Sequence, residues 1–185
     1  MNIRLAREIQ PDSIVDGEGL RTVIWTQGCS HNCLGCHNPS THDFNGGFLK
    51  DVEELKNEIR NLKLQDGITL SGGDPFFQVD ATLEVAKFCK SIGLNVWCYT
   101  GFTFERLVNL GKINDKIYHL LENIDVLVDG KFMLELRSYD CIYRGSTNQR
   151  LIDVNKSLKE GKVVEYKKYN SKIKLDLKPK RPLFV

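Results

Sequence analysis

Cys29, Cys33 and Cys36 fall within eight residues, in the run Cys29-Ser30-His31-Asn32-Cys33-Leu34-Gly35-Cys36-His37-Asn38. Thiolates at this C-x3-C-x2-C spacing are held close by the chain itself and can converge on one soft metal centre. Their number matters more than their closeness. A closed zinc site or a cubane iron–sulfur cluster ordinarily takes four protein ligands. Three leave a metal corner open, which a centre needs if something is to bind there and react. The spacing alone leaves three readings: an iron–sulfur cluster with an open iron, a zinc site completed by His31, His37 or His42, and cysteines that hold no metal.

Such a loop needs a rigid element to carry it. Residues 20–26 are rich in β-branched and aromatic side chains and too short for a typical helix, so they read as a buried strand leading into the cysteines. A short strand at residues 3–9 and a turn-rich loop at 11–19 precede it. Residues 51–63 carry Val52, Leu55, Ile59 and Leu62 at helical spacing, with Asp51 and Glu54 as a capping pair. A strand at 68–71, a helix at 79–91, a strand at 94–100, helices at 104–110 and 113–123, and a strand at 124–128 continue the pattern. Residues 132–136 read as helical and Leu151 with Ile152 as a short strand. Segments 163–166 and 173–177 read as a late hairpin.

The alternation of strands and helices predicts an α/β fold with a mostly parallel sheet. A parallel sheet gathers its strand C-termini on one edge, where α/β enzymes bind ligands. The unusual residues all fall there. The cysteines follow one strand, Gly72-Gly73-Asp74-Pro75 a second, Thr100-Gly101 a third and Asp129-Gly130-Lys131 a fourth. Glycine suits places where backbone must approach a ligand or take positive φ.

Length and composition narrow the class. The 185 residues suit one domain with a substantial core. No stretch reaches the length and hydrophobicity of a membrane span, and the N-terminus turns charged too early for a secretory signal, so the cytoplasm is expected. Cys89, Cys98 and Cys141 are scattered among apolar residues and read as small core side chains. Residues 1–154 hold 16 Lys and Arg against 21 Asp and Glu, whereas residues 155–185 hold 10 against 3. This predicts a domain over 1–154 and a basic extension over 155–185. The acidic body argues against a broad nucleic-acid-binding face.

The blocks together resemble the radical S-adenosylmethionine superfamily. Asp16-Gly17-Glu18-Gly19-Leu20-Arg21-Thr22, the three cysteines, Ser71-Gly72-Gly73-Asp74-Pro75, Trp97-Cys98-Tyr99-Thr100-Gly101, Asp129-Gly130-Lys131-Phe132 and Arg144-Gly145-Ser146-Thr147-Asn148-Gln149-Arg150 occur in order. Within the superfamily they resemble the activating proteins of anaerobic ribonucleoside-triphosphate reductase. Gly35, where the wider superfamily usually has an aromatic residue, and Asp74 fit that narrower family.

The resemblance implies a partial, open (β/α) barrel. It implies a [4Fe-4S] cluster on Cys29, Cys33 and Cys36 whose fourth iron takes the amino and carboxylate groups of S-adenosyl-L-methionine. One electron then gives methionine and a 5′-deoxyadenosyl radical, which takes hydrogen from a glycine near the C-terminus of the reductase large subunit. Gly72 and Gly73 would approach the methionine amino group, with Asp74 shaping the turn. Gly35, Cys36 and His37 would lie beside the adenine, with Asn38 and Ser71 among the cofactor contacts. Thr100 and Asp129 would face a ribose hydroxyl or ammonium, Lys131 the methionine carboxylate, and Arg144 the cofactor or the partner. A flavodoxin-like or ferredoxin-like donor would supply the electron. The rival readings are an activator of another glycyl radical enzyme such as pyruvate formate-lyase, a small-molecule radical enzyme of the deazaguanine type, and a zinc or iron–sulfur binding module without catalysis.

Overall fold

A computed structural model describes residues 1–166. Its strands are β1 (Asn2–Leu5), β2 (Gln10–Ser13), β3 (Arg21–Thr26), β4 (Phe48–Asp51), β5 (Gly67–Gly72), β6 (Asn95–Tyr99), β7 (Val126–Asp129) and β8 (Arg150–Asp153). Five helices accompany them: α1 (Val52–Asn61), α2 (Val79–Ser91), α3 (Phe104–Gly111), α4 (Asp115–Glu122) and α5 (Val154–Glu160).

The strands form one sheet in the order β4-β1-β3-β5-β6-β7-β8, with β2 on the β3 edge. Its middle, β3 to β7, is parallel; β1, β2, β4 and β8 pair antiparallel. This is the expected partial, open (β/α) barrel, a parallel centre bounded by antiparallel edges.

The period of two along each strand sorts residues between two faces. Ile24, Ile68, Leu70, Val96, Cys98, Leu127 and Ile152 pack under the helices in the main core. Helix α1 adds Val52, Leu55 and Ile59 to that core, and Asp51 caps it by accepting from the Glu53 and Glu54 amides. The opposite face carries Trp97, Val126, Val128 and Leu151, with Tyr99, Tyr143 and Tyr166 against them. There Arg21 lies buried over the Trp97 ring and donates to Thr69 Oγ1 at 2.7 Å and to the Glu18 carbonyl at 3.0 Å. Burial lowers the Arg21 pKa to about 10, and this set of partners keeps its charge tolerable inside the barrel.

Several sequence expectations change. The first strand stops at Leu5, and the turn-rich segment after it contains β2, whose polar residues hid the pairing. The short β4 was not foreseen; Phe48–Asp51 lacks a run of β-branched side chains and, among the described residues, pairs with β1 alone. The expected helix near 132–136 is a single 3-10 turn at Leu134–Leu136. Cys89 and Cys98 are buried, but Cys141 is only half-buried in a loop. Residues 155–166 follow β8 through α5, and the Tyr166 ring meets Trp97 while its hydroxyl donates to Glu18 at 2.9 Å. The second arm of the expected hairpin, 173–177, lies outside the described residues. Among those described, no helix is long and apolar enough to cross a membrane.

The barrel's last parallel strand is tied to α3 by charge. Arg150 on β8 donates to both Glu105 oxygens, at 3.0 and 2.8 Å, and to Asp129 Oδ1 at 2.9 Å. The Arg150 bonds hold the Glu105 carboxyl down at about 2, from 4.5. A carboxyl lowered by folding stabilises above its unfolded pKa and loses that contribution as pH falls through the folded value. Glu105→Gln is therefore expected to flatten the acid limb of stability between about pH 4.5 and 2. Urea midpoints measured against pH check this; the effect is small because Glu105 is half exposed.

Candidate active site

Two backbone turns build the base of the site. After β3, Gly28 takes φ +102° and turns the chain so that its amide donates to the Thr41 carbonyl at 2.8 Å. The Cys29 amide donates to the His42 carbonyl at 3.1 Å, closing the base of the loop. Within the loop, the Cys36 amide donates to the Cys33 carbonyl, and the Asn38 amide to Cys36 Sγ at 3.4 Å.

After β5, the second turn lies directly on the first. The Gly73 amide donates to the Thr26 carbonyl at 2.7 Å and the Asp74 amide to the Gly28 carbonyl at 3.0 Å. A Cβ on Gly72 would stand 2.4 Å from the Thr26 oxygen, and one on Gly73 2.4 Å from the Gly28 oxygen. Backbone occupies the space where side chains would go, so these glycines are set by turn-on-turn packing whatever else they contact.

Cys29, Cys33 and Cys36 line one cavity of 140 Å³ with Gly72, Gly73 and Thr100-Gly101. A hollow of 990 Å³ adjoins it, sharing His31, Gly101 and Gly130 and reaching Lys131, Asp129 and Arg150. Among the described residues, no three His, Cys, Asp or Glu side chains converge on a single ion. Three thiols on the lining of one cavity are a donor set of the kind that iron–sulfur clusters take. Burial pushes the Cys29 thiol up to about 11 and raises Cys33 as well. Metal loading must therefore displace protons there.

The anticipated residues divide into those at the cavity and those that brace it. Gly35, Cys36, His37, Asn38, Ser71, Gly72, Gly73 and Thr100 are at the cavity or in its loop. Gly35 has φ +72°, and a Cβ there would press 2.9 Å from Leu134. The His37 ring lies on Phe132 at 4.8 Å. Asp74 is a brace: its Oδ2 accepts from Thr100 Oγ1 at 2.8 Å, the Gly101 amide at 2.9 Å and His31 Nε2 at 2.8 Å. Asp129 accepts from Arg150 and from the Phe104 amide at 2.8 Å. Lys131 is exposed on the larger hollow, and Arg144 donates to the Gln149 carbonyl from the inner face.

Two contributions escaped the sequence reading. His31 figured there only as a possible zinc ligand, yet it ties the cysteine loop to Asp74. The 144–150 block also has a mechanical use. Gln149 Nε2 donates to the Gly130 carbonyl at 3.0 Å, Asn148 Nδ2 to the Lys131 carbonyl at 2.9 Å, and Ser146 Oγ accepts from the Met133 amide at 3.2 Å. Three side chains thus pin the loop after β7. The signal was present in the density of amides and hydroxyls on a segment too polar for a core.

The chain carries three thiols at a strand end of an open (β/α) barrel, and the family model described as "4Fe-4S single cluster domain" matches residues 15–152. The relatives narrow this. The anaerobic ribonucleoside-triphosphate reductase-activating protein of Escherichia coli (strain K12) is 35% identical over 148 residues, covering 75% of this chain and 92% of its own length. Those of Haemophilus influenzae and Enterobacteria phage T4 are 32% and 33% identical, over 75% and 77% of this chain and 91% and 90% of theirs. The chain belongs to this family of activating enzymes, with its general radical and iron–sulfur chemistry.

The turn-on-turn packing sets a direct test. Gly73→Ala drives a methyl into the Gly28 carbonyl and is expected to destabilise by about 2–4 kcal/mol, while lowering iron uptake on anaerobic reconstitution. Gly93→Ala, at φ +83° with nothing within 4 Å, is the control: strain alone costs about 1–2 kcal/mol and iron uptake stays normal. Chemical denaturation and iron assay read both variants.

Proposed function

We propose that this chain generates a glycyl radical on anaerobic ribonucleoside-triphosphate reductase, using a [4Fe-4S] cluster and S-adenosyl-L-methionine. The observation that carries the reading is the single cavity lined by Cys29, Cys33 and Cys36 on one side and the Gly72-Gly73 turn on the other. The names of the relatives support the choice of reductase. When bound, the cluster and S-adenosyl-L-methionine supply one-electron cleavage of the sulfonium to a 5′-deoxyadenosyl radical.

The chain's own residues do the rest. Cys29, Cys33 and Cys36 would hold the cluster, and as three ligands rather than four they would leave room for the sulfonium compound to bind it. Gly72 and Gly73 present backbone rather than side chains to that compound, and Lys131 gives the adjoining hollow a cation for a carboxylate. The His37 ring against Phe132 offers an aromatic face that suits a flat base. The open side of the barrel admits a loop of the reductase large subunit. A one-electron donor of the flavodoxin or ferredoxin type completes the set of partners. Asp74, Asp129 and Arg144 orient loops through the bonds described above.

Anaerobic reconstitution followed by mixing with reductant, S-adenosyl-L-methionine and the reductase is expected to give a glycyl doublet in electron paramagnetic resonance. Cys29→Ser, Cys33→Ser and Cys36→Ser are each expected to reduce the doublet to background and to lower iron content. Stoichiometric zinc without iron would count against the reading, as would a silent reductase beside an intact cluster. A doublet on pyruvate formate-lyase in place of the reductase would redirect it to the sibling activators.

A further inference from the structure

The loop between Cys29 and Cys33 is gripped by a single side chain. His31 Nε2 stands 2.8 Å from Asp74 Oδ2, and the two side chains are 9% and 1% exposed. The ring packs against Phe77 and Phe102, with centroids at 5.6 and 4.6 Å. Behind it, a Cβ on Gly101 would come within 2.4 Å of His31 Cδ2, so the backbone at 101 closes directly on the ring. Asp74 is equally fixed: Thr100 and the Gly101 amide share Oδ2, and the Phe76 amide donates to Oδ1 at 3.0 Å. A carboxylate so placed takes a proton donor from the ring, which puts the N–H on Nε2.

The backbone of the same residue faces the metal side. The His31 N–H is directed to the Cys29 sulfur, the Phe132 N–H to the Cys33 sulfur, and the Asn38 N–H to the Cys36 sulfur. Each of the three sulfurs thus meets a neighbouring backbone amide, and Cys33 its own as well. The Phe132 amide belongs to the loop pinned by Gln149 and Asn148, and the His31 amide belongs to the residue pinned by Asp74.

We propose that His31 and Asp74 are positioning residues for the iron–sulfur centre: their bond holds the His31 N–H on the Cys29 sulfur and so raises the reduction potential of the cluster. An N–H to a ligating sulfur withdraws charge and favours the reduced, more negative state. The device works from outside the cavity, through a carboxylate that also joins the loops after β5 and β6. This inference rests on the cluster reading above and adds to it the residue pair that tunes the centre.

The test compares His31→Leu, which fills the space between Phe77 and Phe102 but cannot bond Asp74, with His31→Gln, which keeps an N–H within reach. Full-length proteins are reconstituted anaerobically and titrated with reductant, the cluster being followed by electron paramagnetic resonance. His31→Leu is expected to shift to a more negative midpoint potential with an altered reduced-state spectrum, and His31→Gln to stay near the parent. An unchanged potential in His31→Leu overturns the proposal, and so does an equal shift in both variants. If His31→Leu loses its cluster, amide hydrogen exchange over residues 29–36 of the metal-free proteins decides. Faster exchange in the Leu variant alone supports the clamp, and equal rates in all three proteins sink it. Failure of the parent itself to bind iron would instead strike the cluster reading, so the two failures are distinct.

Discussion

A carboxylate buried at the C-terminal edge of the sheet holds the site together. Asp74 is 1% exposed, and a charge in that position is tolerable only when its oxygens are saturated with donors. The four donors come from His31, Phe76, Thr100 and Gly101. Three loops, those after β3, β5 and β6, therefore share one anchor. Removing a donor leaves the carboxylate one bond short, a cost shared by all three loops. Parallel strands bring the loops to the same edge; the carboxylate fixes how they meet.

The glycines extend the same constraint to the backbone. Gly73 sits on Gly28 closely enough that the next-larger side chain meets a carbonyl, so the turn after β5 and the turn carrying Cys29 behave as one rigid piece. The loop after β7 is fixed differently, by the amides of Gln149 and Asn148 on the carbonyls of Gly130 and Lys131. One side of the cavity is thus held by close backbone contact and the other by side-chain hydrogen bonds. The first tolerates almost no substitution, and the second depends on amide geometry.

What the sequence made legible follows from these mechanisms. Strands β3, β5, β6 and β7 and helices α1 to α4 announced themselves because their apolar residues recur at the spacing of a two-faced element. β2 and β4 did not. They pair at the barrel's edge with polar or mixed side chains, and pairing is a property of the partner strand. At the site, Cys29, Cys33 and Cys36 were visible because three thiols at the spacing of metal ligands stand out in a sequence whatever the fold around them. Asp74, Thr100 and Asp129 were rightly placed at strand ends, but their bonds to other loops were not readable, since those partners lie 21 to 43 positions away. His31 was hardest to read. A histidine flanked by cysteines invites the reading of a ligand, and only the fold reveals its ring turned toward Asp74.

The thiols themselves add little to the architecture, and this has a chemical consequence. Desolvation raises Cys29 and Cys33, so before metal arrives these side chains favour the neutral form and do not hold the loop by charge. The backbone bonds at Gly28, Cys29, Gly73 and Asp74 close the two turns around the thiols. The shape of the cavity is thus set by amides, glycines and one carboxylate more than by the thiols. On the cluster reading proposed above, a loop fixed in this way would not need a fourth ligand to hold it, because its turns are already tied by backbone bonds.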